Sequence, residues 1–210
     1  MRNAMRTIGK VSCFLFVLVA PALAQNQIAD GPSPAVAGPA YDVNVGYTNL
    51  TMAIPSAQHL NLSGLDVGGR VDLNSRWGAM VDSTYVRTSN VLGTRHGGYQ
   101  LSFLSGPMFY PVEHGNTRMF VHGLAGAALV DGAVPINKTD YFHGWLVRFS
   151  YAVGAGIEHA VSGPFGVRVQ GDYLHSAFFD AAGAVRPQGN LRLTVSLVFR
   201  LKERRHSTWK

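Results

Sequence analysis

Cysteine is all but missing from this 210-residue sequence, with Cys13 its only example. Beyond that position no disulfide and no thiolate chemistry are available. Lysine is almost as scarce: Lys10, Lys138, Lys202 and Lys210 are the full set. A sheet that meets water on its outside normally spreads Lys and Glu over it, so this scarcity argues against such a surface. Apolar runs are short as well. Val11–Ala20 (VSCFLFVLVA) falls below the roughly 18 residues that a membrane-spanning helix needs. No segment combines helical periodicity with sufficient length and caps, which leaves strands as the building material.

What the chain does contain begins with a basic stretch. Arg2, Arg6 and Lys10 lead into the apolar run, and Pro21 precedes Ala22-Leu23-Ala24. This order reads as a secretory signal peptide over residues 1–24, cut between Ala24 and Gln25. Cys13 lies inside it, ahead of most of the apolar run, and is poorly placed for lipid modification. Residues 25–40, QNQIADGPSPAVAGPA, form a Pro/Gly/Ala-rich linker. The chain has 18 Lys and Arg against 12 Asp and Glu, and the signal alone carries half of the net +6. So modest an excess makes no case for a nucleic-acid partner.

From Tyr41 onward, apolar and polar residues alternate in run after run. The clearest is Asn190–Leu201, NLRLTVSLVFRL. Successive side chains of a strand point to opposite faces. Leu191, Leu193, Val195, Leu197, Phe199 and Leu201 therefore share one side, and Arg192, Thr194, Ser196, Val198 and Arg200 the other. Similar runs start at Tyr41, Leu65, Trp77, Tyr99, Trp145 and Val167. Only Met119–Val130 (MFVHGLAGAALV) leaves its facing open, because its residues are small. Tight turns at 74–76, 113–116 and 162–164 alternate with longer polar connections at about 53–60, 88–98, 131–144 and 175–189. Short connections on one side and long ones on the other, joining roughly eight strands, predict an all-β fold: a closed up-and-down antiparallel transmembrane barrel over residues 41–201.

Charge decides which face is outside. Asp66, Arg70, Asp72, Asp82, Arg148, Glu158, Arg168, Asp172, Arg192 and Arg200 fall on the polar faces. An arginine against lipid at mid-membrane costs about 2–4 kcal/mol, so these residues are expected inside, where acids and bases can pair. The expected interior is a polar, ion-paired plug, because roughly eight strands enclose no porin-sized channel. Aromatic residues gather at the strand ends. Tyr41, Trp77, Phe109, Phe165 and Phe199 lie toward the tight turns; Tyr85, Tyr99, Trp145 and Tyr173 lie toward the long connections. Two such girdles would mark the membrane interfaces.

One stretch resembles a known family. Val167-Arg168-Val169-Gln170-Gly171-Asp172-Tyr173, a loop, and then Asn190-Leu191-Arg192-Leu193 to Phe199-Arg200-Leu201 are similar to the end of the small outer-membrane barrels of the OmpA-like and opacity-protein type. The resemblance runs from about Tyr41 to Leu201. It implies a location in a Gram-negative-type outer membrane, contact with outer-membrane lipid and lipopolysaccharide, and insertion by the barrel assembly machinery. It further implies a structural or surface-interaction role, with host or surface ligands met through the long loops. No appended peptidoglycan-binding domain is expected. One departure stands out: such barrels usually end on an aromatic residue, whereas Phe199 is followed by Arg200-Leu201 and a basic tail, residues 202–210 (KERRHSTWK).

Other chemistry is expected to be absent. His175-Ser176, with Asp172 and Asp180 nearby, is the best local candidate for a hydrolase. Neighbours on a strand point to opposite sides, however, and no G-x-S-x-G elbow occurs, so no enzyme is expected. A lipid-modifying enzyme on the same barrel, and a soluble ligand-carrying barrel, are the competing readings. His59, His96, His143 and His175 fall one to each long connection, without the close-spaced pair that a metal site would show. No metal or cofactor is expected. Asn137-Lys138-Thr139 matches a glycosylation sequon that the bacterial reading discounts. Gly123, Gly126, Gly154 and Gly156 read as relief of crowding inside the barrel or as sites of curvature.

Overall fold

The computed structural model describes residues 39–53, 59–91, 93, 95–135, 141–179 and 185–202. Ala24, Gln25, most of the linker and the tail beyond Lys202 lie outside them. Eight strands follow one another: β1 (Ala40–Met52), β2 (Leu60–Asp72), β3 (Trp77–Thr88), β4 (Gly98–His114), β5 (Thr117–Pro135), β6 (Tyr141–Ser162), β7 (Phe165–Phe179) and β8 (Val185–Lys202). Each pairs antiparallel with the next, and β8 closes on β1. The barrel is therefore up-and-down, as the alternation implies.

Hydrogen-bonded neighbours trace a path around the wall from Val43 through Gly69, Val81, Ser105, Ala125, Tyr151 and His175 to Gly189. Gly189 is one residue past Asn190, the partner of Met52. The path thus returns to β1 roughly ten residues above its start, a stagger that tilts the strands and keeps the lumen narrow.

Tight connections close one end. Asn74 Oδ1 accepts hydrogen bonds from the backbone N–H of Arg76 and Trp77, at 2.9 and 2.8 Å; this is the local bond that makes Asn a turn residue. Gly115 and Gly163 supply the positive φ angles, 58° and 52°, that the two other turns need. At the opposite end the strands outrun the alternation. Pro135 pairs with Tyr141 and Phe179 with Val185, so the connections expected at 131–144 and 175–189 are largely strand. Backbone pairing carries these strands beyond the stretches in which the apolar alternation is clear.

Met119–Val130 acquires a facing. Phe120, His122, Leu124 and Ala128 are buried, whereas Met119 and Val121 are exposed. Outside, the wall is a belt of exposed apolar side chains that includes Val45, Leu65, Phe103, Val153, Leu193 and Leu197. A patch that extensive marks a membrane surface.

Candidate functional site

The chemistry of this chain is concentrated in the lumen. On the turn side Glu158 is the centre. Its carboxylate accepts from Arg70 Nη1 at 2.8 Å, Arg168 Nη2 at 2.9 Å, Arg200 Nη2 at 3.2 Å and Arg118 Nη2 at 3.3 Å. Asp42 pairs with Arg70 and accepts from Arg168 Nη2 at 3.1 Å. Asp72 accepts from Arg118 Nη1 at 2.9 Å and from the Tyr110 hydroxyl. The Arg118 guanidinium also lies over the Tyr110 ring, 4.8 Å from its centroid. Buried guanidiniums need such charge-assisted partners.

A second layer sits above. Arg192 bridges two acids, donating to Asp82 Oδ1 at 2.6 Å and to Asp172 Oδ2 at 2.7 Å, and it reaches Thr84 Oγ1 at 2.7 Å. His122 Nε2 donates to Asp172 Oδ1 at 2.7 Å. Asn44 joins the layers, donating to Asp66 at 2.9 Å while accepting from Arg168 at 3.0 Å. β6 gives room for both. A Cβ on Gly154 would lie 2.0 Å from Asp172 Oδ1, and one on Gly156 would lie 2.4 Å from Phe120 Cζ. Gly123, by contrast, faces open space and relieves nothing.

Toward the loops the lining changes character. Leu50, Leu62, Val86, Leu124, Ala128, Ala152, Leu174 and Phe178 are buried there with Val130 and Leu146 against them, and the same cluster runs down through Met80, Met108, Tyr110 and Phe120 beside the charged groups. The expectation of a polar interior is corrected accordingly. The facing argument keeps charge out of lipid, but it does not bar apolar residues from inside, where packing welcomes them.

No family model matches the chain, and no curated protein matches it. Solved structures do. Ail, the attachment invasion locus protein of Yersinia pestis, is 16% identical with a TM-score of 0.55, the match covering 78% of this chain and 99% of that one. The same protein in complex with the heparin analogue sucrose octasulfate is 20% identical at a TM-score of 0.51, covering 77% and 99%. Neisserial surface protein A is 10% identical at a TM-score of 0.60, covering 77% and 98%. This chain shares the eight-stranded barrel fold of these proteins.

Within this barrel, Asp66, Arg70, Asp72, Asp82, Glu158, Arg168, Asp172 and Arg192 are buried in the lumen, and Arg200 reaches Glu158 from its partly exposed end. Arg148 is different. It lies on the inward face of β6, half-buried, and forms no ion pair with any described residue. The network also holds Asp42, on the polar side of the run that starts at Tyr41, and Tyr110, Arg118 and His122, which the alternation does not single out. Arg118 and His122 belong to the strand whose facing small residues obscure; their even spacing with Phe120 is the one available signal.

The aromatic residues of the barrel pair across strands: Trp77 with Phe109 at 4.9 Å and Phe165 with Phe199 at 5.4 Å on the turn side, Tyr85 with Tyr99 at 5.7 Å toward the loops. Tyr41, Trp145 and Tyr173 are exposed. At the end of β8, Arg200 turns inward to Glu158, leaving Leu201 exposed as an outward residue beyond Phe199.

His175 and Ser176 stand on opposite faces of β7. His175 stacks outside on Tyr151 at 4.8 Å, while Ser176 Oγ is buried inside and accepts from Asn190 at 2.9 Å. The two do not meet. Asp180 and Asn137-Lys138-Thr139 fall outside the described residues, as does the His143 side chain. His59, His96 and His175 form no metal-holding group among the described residues.

Proposed function

We propose that this protein is a structural barrel of the bacterial outer membrane that holds its loops outward for contact with surface ligands, and that it forms no channel. The observation behind this reading is the double layer of Arg–carboxylate pairs across the lumen, from Glu158 to Arg192. Displacing paired buried charges is expensive, so ions have no route and the loop end is left as the working part. Ail has been seen with a heparin analogue, which makes a sulfated surface polymer a reasonable first ligand to try. Lipid and lipopolysaccharide would surround the belt, and the barrel assembly machinery would insert it.

Purified protein in planar bilayers should show no steady conductance, and intact cells displaying it should bind immobilised sulfated polysaccharide more than cells without it. Stable porin-like current steps would overturn the reading. Nor is the barrel an enzyme on this reading, since His175 and Ser176 face apart. Envelope lipids should have the same composition with the gene deleted or overexpressed, and a new or missing acyl modification would argue for the enzyme instead.

A further inference from the structure

The wall is not zipped equally all round. β6 and β7 pair from Ser162 and Phe165 up to Tyr151 and His175, and there the ladder stops. Both strands continue. Residues 144–150 of β6 are bonded only on the β5 side, and residues 176–178 of β7 only on the β8 side. At no other seam among the described residues do both strands run on so far unpaired. Open sheet edges are not tolerated in hydrocarbon unless they are buried in protein or line a water-filled cavity. Parting β6 from β7 here breaks no ladder hydrogen bond.

The residues on each side of this seam are matched to one kind of occupant. Outside it stand Trp145 and Phe149, the latter 69% exposed, so the seam faces lipid. Inside it lie Leu146, Ala152, Leu174 and Phe178 of the apolar cluster. Between them the inward face of β6 carries Arg148 and Ser150. Ser150 Oγ is buried without a hydrogen-bond partner. Arg148 lacks a carboxylate among the described residues, whereas Arg70, Arg118, Arg168, Arg192 and Arg200 each have one.

We propose that this seam is a side entrance through which the loop-side lumen takes up one long-chain fatty acid. The guanidinium of Arg148 matches a carboxylate in shape and charge, and the Ser150 hydroxyl would donate a further hydrogen bond to it. The chain would enter by parting the packed Leu146, Ala152, Leu174 and Phe178, contacts that are non-directional and can re-form around it. A lumen of this width holds a single chain, and the Arg192 layer stops it from passing farther. The site binds; it does not conduct.

The test uses the full barrel in phosphatidylcholine nanodiscs and palmitate carrying a photoreactive diazirine at its far end. Crosslinks should map to Leu146, Leu174 or Phe178. Unlabelled palmitate should compete at least about tenfold better than hexadecanol, which lacks the charge. Arg148→Glu should weaken binding by about tenfold or more, and Arg148→Lys should retain most of it. Crosslinks confined to outward residues such as Phe149 and Val153 would show annular lipid only and overturn the proposal. Equal competition by palmitate and hexadecanol would overturn it too, as would equal competition by lysophosphatidylglycerol, which carries a phosphate in place of the carboxylate. These comparisons use the unaltered chain, so they decide the matter even if the Arg148→Glu variant fails to fold.

Discussion

The turn-side and loop-side halves of the lumen differ in charge: the carboxylate–guanidinium network lies in the first, while apolar residues pack in both. Below, Glu158, Asp42 and Asp72 knit Arg70, Arg118, Arg168 and Arg200 into a charged plug. Above, Leu50, Leu62, Leu174 and Phe178 pack as an ordinary apolar core. The charged half lies where every strand is bonded on both sides, and the loop-side half backs onto the unzipped β6–β7 seam. The contrast is physically reasonable. Buried ion pairs tolerate little movement, because each separated charge is left without solvent. Apolar contacts are non-directional, and they can part and re-form.

The comparison can be broken first at its charged end. Glu158→Ala should have the largest effect, about 3–5 kcal/mol, since it strands several guanidiniums at once. The urea midpoint of the heat-modifiable gel shift would measure it, and a midpoint like that of the unaltered protein would mean that the plug is hydrated. Leu174→Ala tests the loop-side half by the same assay, with an expected loss of about 2–4 kcal/mol from a fully buried side chain. Gly156→Ala should follow at about 1–3 kcal/mol, because the added methyl drives into Phe120. The matching change Gly123→Ala, in open space, should be near neutral. Smallest is Arg148→Gln, within about 0.5 kcal/mol, since no described carboxylate depends on this residue. A loss there as large as that of Arg168→Gln would mean that Arg148 belongs to the plug after all.

Much of the fold is legible in the sequence alone. Strict alternation in residues 190–201 makes a strand with one oily side, and the arginines of its other side forbid that side from lipid. Scarce lysine says the same of the outer surface as a whole. The tight turns announce themselves through Asn74, Gly115 and Gly163, whose local chemistry is complete within a few residues. Where side chains shrink, the reading fails. In residues 119–130 neither face is bulky enough to declare itself, so nothing in that stretch marks Arg118 and His122 as members of the network.

By itself, then, the sequence determined that strands would form, how many, and which side of each would meet lipid, because those are matters of period and of the cost of a bare charge. Which acid would meet which arginine it left open, because Glu158 and Arg70 are 88 residues apart and only the stagger of the closed wall sets them side by side. The placement of the carboxylate–guanidinium network in one half of the lumen, and the seam where β6 and β7 part, were likewise decided by the tertiary structure. Height within a tilted barrel depends on the register of every strand together, and no single stretch of chain carries that information.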